Sequence, residues 1–148
     1  MKKLLVFYSR RGLVKRIVDD YEFKLDTDIL EIKPSKSYKG LFGFIKGRLD
    51  SLNNRIPDIQ ELNINLMDYD SVIIVGGVWS TNICGPILAF MNKYKGKFKN
   101  VEYIAIAKRP IVNFCDIFAG MDYYGNTHYK RATAITVRFN HLASIKRY

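Results

Sequence analysis

The sequence predicts an α/β fold in which a mostly parallel sheet is covered by helices on both faces. Three observations support this: the chain has 148 residues, a typical length for one domain; short apolar runs alternate about five times with helix-like segments; and residues 72–75, VIIV, are apolar without alternation. A continuous apolar run is typical of a strand that is buried on both faces. With right-handed crossovers, we expect a three-layer sandwich formed by one domain over residues 1–148.

The first strand and helix are predicted from residues 2–23. KKLLVFYS is a short run of strand-forming residues that leads into a turn containing Gly12. The next apolar residues lie four apart or beside one another, as one face of a helix requires: Leu13, Val14, Ile17, Val18 and Tyr21.

A second strand is predicted within DTDILEIKP, and it stops at Pro34. The longest irregular segment follows at residues 35–58, where glycines alternate with aromatic residues. A glycine-broken helix and an ordered flap over an active site both fit this segment. Three of its aromatic residues could cover the edge of a ligand or simply pack: Tyr38, Phe42 and Phe44.

The third strand is the clearest, in DYDSVIIVGGVWS, and we expect its turn to begin at Gly76 and Gly77. ICGPILAFMNKYKG then predicts a helix with Pro86 in its first turn and Gly96 beyond its end.

The rest of the chain predicts two more strands and one helix. VEYIAIA is another buried strand, FCDIFAGMDYYG a helix, and RATAITVRF a last strand rich in β-branched residues. Residues 141–148 are expected to form a short amphipathic tail. In such a sheet, ligands bind beyond the carboxyl ends of the strands, where the loops at residues 9–14, 76–85 and 108–113 should meet.

Four stretches of the sequence resemble the flavodoxin family. They are FYSRRG after the first strand, YKGLFGFIKGRLDSLNNRIPDI in the insertion, YDSVIIVGGVWSTNICGPILAFMNKY around the third strand, and KRP after the fourth. The third stretch is the most specific. The resemblance implies a five-stranded parallel sheet of order 2-1-3-4-5 and a bound FMN, with the phosphate in the first loop and the ring between the second and third loops. It assigns these cofactor-binding residues: Ser9, Arg10, Arg11, Gly12, Leu13, Val14, Gly77, Val78, Trp79, Ser80, Thr81, Asn82, Lys108, Arg109 and Pro110.

The first loop departs from the family pattern, which presents a hydroxyl residue, any residue, Thr, Gly, any residue and Thr. Here the six positions read SRRGLV, so that Ser9 and Gly12 match and two hydroxyl residues are missing. Backbone N–H groups and the helix start can still bind phosphate, and Arg11 could replace a lost hydroxyl with a charge-assisted contact. Alternatively, Arg10 and Arg11 simply point into water.

Trp79 is the only tryptophan in the chain, and it follows the most buried strand. Its indole could stack on a flavin ring, or it could be an aromatic residue of the core or of its rim. Gly76 and Gly77 would allow a ligand to approach the backbone closely, or merely form the turn.

The charge balance is strongly basic, since 24 Lys and Arg against 14 Asp and Glu give a formal net charge of +10. Such a surface attracts anions of any kind, although a protein from a lysine-rich proteome would have the same balance. Cys84 and Cys115 form no disulfide framework or zinc motif. The first apolar run is too short for a signal peptide or a membrane span, and no later run approaches about 18 apolar residues. We therefore expect a cytoplasmic protein without a metal site.

Three functions remain open. The leading one is an FMN flavoprotein in electron transfer or in NAD(P)H- or quinone-linked oxidoreduction. Typical flavodoxins are acidic and dock on basic partners. Because this chain is basic, we expect its partner to be an acidic redox protein or a small-molecule substrate. The second is a flavin-free module that binds partners through its basic surface. The third, nucleic-acid binding, is not expected, because the lysines in KYKGKFKN belong to the edge opposite the ligand loops. No residue set points to nucleophilic or acid–base catalysis.

Overall fold

The computed structural model describes residues 1–20, 27–53, 55–108, 113–138 and 141–148. The strands are β1 (Lys3–Phe7), β2 (Thr27–Glu31), β3 (Ser71–Trp79), β4 (Asn82–Ile83), β5 (Val101–Ala107), β6 (Tyr129–Arg138) and β7 (His141–Arg147). The helices are α1 (Leu13–Asp20), α2 (Gly40–Leu52), α3 (Gly85–Lys93) and α4 (Phe114–Gly125), and a single 3-10 turn spans Leu66–Asp68.

The central sheet has the order β2-β1-β3-β5-β6-β7. The first five of these strands are parallel, so that the predicted order 2-1-3-4-5 is confirmed. The last strand differs from the prediction. Residues expected to form only an amphipathic tail pair antiparallel with β6, and the pairing continues to Tyr148, whose N–H donates to the Ala132 carbonyl at 2.8 Å. The tail thereby satisfies backbone groups that an edge strand would otherwise expose.

Two buried apolar clusters occupy the two faces of the sheet. On one face, α1 inserts Val14 and Val18 against residues of the parallel strands such as Leu5 and Ile73. On the other, α3 and α4 pack against alternate residues of the same strands, such as Leu4 and Ile74. Because successive side chains of a strand point to opposite faces, a continuous apolar strand contributes residues to both clusters. The sheet is therefore covered by helices on both faces, as the predicted three-layer sandwich requires.

The third strand runs further than predicted. Gly76 and Gly77 do not form the turn; they pair with Ala105 and Ile106 of β5, and the strand continues to Trp79. The reversal lies at residues 80–81, where Ser80 has a φ of 59°, as tight two-residue hairpins require. A Cβ atom at position 76 would lie 2.9 Å from the Ile83 side chain, so glycine allows the hairpin and α3 to pack on the strand.

The insertion contains a continuous helix, α2, so the glycines do not break it. Gly43 and Gly47 face the body of the protein. A Cβ atom would lie 2.2 Å from the Tyr38 carbonyl carbon at the first position and 3.0 Å from the Trp79 ring at the second. The glycines therefore bring α2 close to the residues that precede it and to the end of β3.

Among the described residues, no helix is both long and apolar enough to cross a membrane. Both cysteines are unpaired; Cys84 is buried and Cys115 is exposed.

Candidate functional site

A cavity of about 110 Å³ opens at the carboxyl ends of β1, β3 and β5, where the parallel-sheet rule places ligands. Most of its lining comes from the loops predicted from the sequence. The lining residues are Tyr8, Ser9, Arg10, Arg11, Leu13, Val14, Gly77, Val78, Trp79, Cys84, Ile106 and Lys108.

A second cavity, of about 440 Å³, adjoins the first at the 9–14 loop, because Ser9, Arg10 and Arg11 line both. Its remaining lining residues are Gly12, Lys15, Glu31 and Lys39. Four of its seven lining residues are therefore cationic and one is anionic. Asp19 neutralises part of this charge, since its carboxylate lies 2.8 Å from Lys15 Nζ, but an anion near the first loop would still meet a positive local field.

The first loop has the geometry of a tight strand-to-helix turn. Gly12 adopts a φ of 83°, which favours glycine, and its carbonyl accepts from the Arg16 N–H at 2.9 Å. The Ser9 hydroxyl accepts from the Lys15 N–H at 3.2 Å, which ties the loop to the first turn of α1. The amino end of α1 then directs its partial positive charge toward the loop.

Val14 explains one departure from the family pattern. Its side chain is buried and belongs to the apolar cluster on the α1 face of the sheet. A Cβ atom at position 77 would lie 3.7 Å from Val14 Cγ2, so Gly77 and Val14 form a close helix-to-strand contact. This position serves packing, and it offers no hydroxyl to an anion.

The two arginines of the loop have different surroundings. The half-buried Arg10 guanidinium lies 4.8 Å from the centre of the Phe44 ring and 5.4 Å from that of Trp79. Burial, followed by the adjacent charge of Arg11, lowers the pKa of Arg10. Arg10 therefore does not simply point into water, whereas Arg11 is exposed, 5.8 Å from the Phe44 ring centre.

Trp79 is half-buried and surrounded by aromatic residues. Its ring lies edge-on to Tyr38 at 5.0 Å and to Tyr8 at 5.9 Å. Gly47 of α2 closes another side, and Arg10 lies over the ring. This is the packing of an aromatic residue at the rim of the core, and stacking on a flavin stays a prediction.

Polar contacts of α2 fix the insertion beside Trp79. The Ser51 hydroxyl donates to the Trp79 carbonyl oxygen, and Asp50 accepts from the Tyr38 hydroxyl at 2.9 Å and from Lys46 Nζ at 2.5 Å. Burial by itself would raise the pKa of the Asp50 carboxyl, but these two donors outweigh it, so the pKa is lowered.

Three lining residues were not predicted: Tyr8, Cys84 and Ile106. Tyr8 and Ile106 lie at the carboxyl ends of β1 and β5, where the strand pattern itself would have indicated them. Burial raises the pKa of Tyr8 to about 12 and that of Cys84 to about 12. Both groups are therefore neutral near pH 7, and the Cys84 thiol is not poised as a nucleophile.

The other predicted site residues are only partly brought together. Lys108 lines the first cavity, while Ser80, Thr81 and Asn82 form the hairpin beyond Trp79 and line neither cavity. Arg109 and Pro110 lie outside the described residues.

No protein-family model matches the chain, and a search among curated proteins finds no match. Among solved structures, this chain is similar to a flavoprotein from Lactobacillus acidophilus in complex with FMN. The TM-score is 0.71, and the identity is 21% over 93% of this chain and 91% of that one. A protein from Bacteroides eggerthii that is provisionally assigned as a flavoprotein also has a TM-score of 0.71, with 19% identity over 95% and 89%. A similarly assigned protein from Bacteroides uniformis has a TM-score of 0.71, with 17% identity over 94% and 92%. The chain therefore has the flavodoxin-like fold that the sequence predicted.

Proposed function

We propose that this protein binds FMN at the cavity beneath the 9–14 loop and acts in electron transfer or in NAD(P)H- or quinone-linked oxidoreduction. One observation supports this most. The loop, Trp79 and Lys108 line a single cavity at the sheet edge where flavodoxin-like proteins of this architecture place a ligand. The L. acidophilus neighbour, which shares this fold, was solved in complex with FMN.

The donors around the first loop fit a phosphate. Ser9, the amides of the first turn of α1 and the exposed Arg11 would hold it, and Lys39 would contribute longer-range attraction. The space around Gly12 is open to a ligand, since a Cβ atom there would meet nothing within 4 Å. Charge-assisted contacts from an arginine can offset neutral hydroxyl contacts, which suits a loop that has exchanged a hydroxyl for a cation.

The ring of FMN would lie near Trp79 and Gly77. Arg10 now covers the Trp79 ring, so we expect Arg10 to turn from the aromatic rings toward the phosphate when FMN binds. The cofactor would supply the electron transfer itself. The nearby cations Arg10, Arg11 and Lys108 would stabilise its reduced, more negative form and so raise the reduction potential.

A flavin-free binding module is the second candidate, and two observations favour it. Val14 is committed to the core at a position where the family pattern has threonine. Arg10 already occupies one side of Trp79. In that case the same cationic loop would bind the anionic group of a partner.

The deciding experiment uses Trp79, the only tryptophan, as a reporter within the site. FMN and riboflavin are titrated into the flavin-free protein, and tryptophan quenching is followed together with the visible flavin spectrum. We expect FMN to bind with submicromolar affinity and riboflavin about a hundredfold more weakly, because only FMN can use the loop. Equal affinities would refute phosphate binding by the loop, and no quenching by either compound would favour the flavin-free module.

A further inference from the structure

Helix α2 docks on the protein by its small residues and exposes its large apolar ones. Gly43, Gly47 and Ser51 face the body and are buried. The opposite face carries Leu41, Phe42, Ile45, Leu49 and Leu52, of which Phe42 is 88% exposed and Leu41 69%. At about 100° per residue, these five side chains fall within an arc of about 100°. The helix is therefore amphipathic with its apolar face turned outward.

Cations border this apolar face. On the helix, Arg48 lies on one side of the arc, while Lys39 precedes the helix and Arg55 follows it. Lys46 lies on the other side, where its ammonium is paired with Asp50. The single carboxylate of α2, Asp50, is buried on the docking side, where it binds Tyr38 and Lys46. The outward surface of α2 thus combines apolar side chains with positive charge and no acidic residue.

We propose that the exposed face of α2 docks this protein on an anionic lipid bilayer. Basic residues flanking an outward apolar stripe match a membrane interface, where acyl chains take the apolar groups and acidic headgroups meet the cations. With 13 residues, α2 spans about 20 Å and lies on a bilayer rather than crossing it. Docking of α2 on a bilayer would not require bound FMN.

Charge argues against a second copy of the chain as the occupant. Each protomer carries a net charge of +10, and an isologous contact through α2 would oppose the two sets of flanking cations. A bilayer with acidic lipids has the complementary charge. Because Gly47 contacts Trp79 on the inner side of α2, docking also brings the candidate site close to the lipid surface, within reach of lipophilic molecules.

The test measures sedimentation of the whole protein with sucrose-loaded vesicles. One set contains phosphatidylcholine with a minority of phosphatidylglycerol, and the other contains phosphatidylcholine alone. We expect binding to the anionic vesicles to be at least about tenfold tighter than to the neutral ones, and to weaken as salt is added.

The decisive variant is Phe42→Gln with Ile45→Gln, since glutamine keeps helix propensity while removing apolar surface. We expect it to bind anionic vesicles at least about tenfold more weakly than the wild type. Met67→Gln, which also replaces an exposed apolar residue, should bind like the wild type. Arg48→Gln with Arg55→Gln should weaken binding more than the charge-matched Lys97→Gln with Lys130→Gln. The melting temperature of each variant verifies that it is folded.

Three outcomes would overturn the proposal. Unchanged binding by the Phe42 and Ile45 variant would mean that the net charge alone attracts the protein to lipid. Absence of vesicle binding by the wild type would leave a protein as the partner of this face. A dimer in sedimentation velocity that the same variant converts to monomer would identify a second copy as the occupant.

Discussion

At the scale of single residues, the first loop contains one position that serves packing and another that we propose binds an anion. Val14 is buried against Gly77, whereas Arg11 is exposed at the mouth of both cavities. Arg11 is thus placed to contribute to phosphate binding without a cost to the core.

Arg11→Gln should therefore weaken FMN binding while it leaves the fold intact. A charge-assisted contact at an exposed position is worth about 1–2 kcal/mol, which corresponds to about fivefold to thirtyfold in the dissociation constant. Trp79 quenching measures the change. Arg147→Gln is the matched control, because it removes the same charge from β7, which lines neither cavity.

The riboflavin affinity of the same variant separates a contact to phosphate from a general change in the site. We expect riboflavin to bind equally to Arg11→Gln and to the wild type, because it carries no phosphate. A parallel loss for both ligands would contradict the assignment of Arg11.

Some of the site could be predicted from the sequence, because a strand, a glycine turn and a helix fix where Ser9 and Gly12 lie. The surroundings of Arg10 could not be predicted in this way. They depend on Phe44, which is 34 positions away in the chain, and on the placement of α2. Apolar periodicity already places Val14 on the core-facing side of α1, whereas the resemblance assigns it to the cofactor site.

At the scale of secondary structure, the close docking of α2 depends on Gly43. Gly43→Ala should destabilise the protein, by about 1–3 kcal/mol, because a Cβ atom would lie 2.2 Å from the Tyr38 carbonyl carbon and the backbone must shift. Chemical denaturation measures the free energy of unfolding.

Gly120→Ala supplies the matched control in α4, where a Cβ atom would meet nothing within 4 Å. The same substitution there should stabilise the protein by about 0.5–1 kcal/mol through helix propensity. If both variants gained stability, α2 would not be docked as closely as the structure places it.

The docking of α2 should also respond to acid through Asp50. Its lowered pKa in the folded protein contributes stability that is present above the unfolded value of about 4 and is lost as the pH falls through the folded pKa. The difference in unfolding free energy between the wild type and Asp50→Asn should therefore be largest near neutral pH and shrink below about pH 4.

Lys46→Gln removes one of the two donors that hold this carboxylate. We expect the acid-sensitive range of this variant to move to higher pH, since the pKa of Asp50 would no longer be held as low. If the difference in unfolding free energy between the wild type and Asp50→Asn stayed constant with pH, the Asp50 carboxylate would not stabilise the docking of α2 through its charge.

The elements themselves were largely predictable, because apolar periodicity and turn residues are local signals. Three differences have non-local causes. β3 passes through Gly76 and Gly77 because β5 pairs with them. The hairpin to β4 pairs with the end of β3. β7 forms because the edge of β6 is open to it. Single-segment patterns do not contain these pairings.

At the scale of the whole molecule, the net charge of +10 should give the proposed FMN binding a kinetic signature. A positive field around the 9–14 loop should accelerate encounter with the FMN phosphate, and salt should screen that field. The cations that line the second cavity, including Lys15 and Lys39, should concentrate this field near the loop.

The association rate of FMN should therefore fall severalfold between low salt and about 0.5 M salt, where the Debye length shortens to a few ångströms. The rate for uncharged riboflavin should change little over the same range. Stopped-flow quenching of Trp79 measures both rates on the same protein. Lys15→Gln with Lys39→Gln should flatten the FMN dependence, whereas Lys97→Gln with Lys130→Gln should leave it unchanged, because these lysines line neither cavity. If both pairs flattened it equally, the attraction would come from net charge alone and not from a field concentrated at the loop.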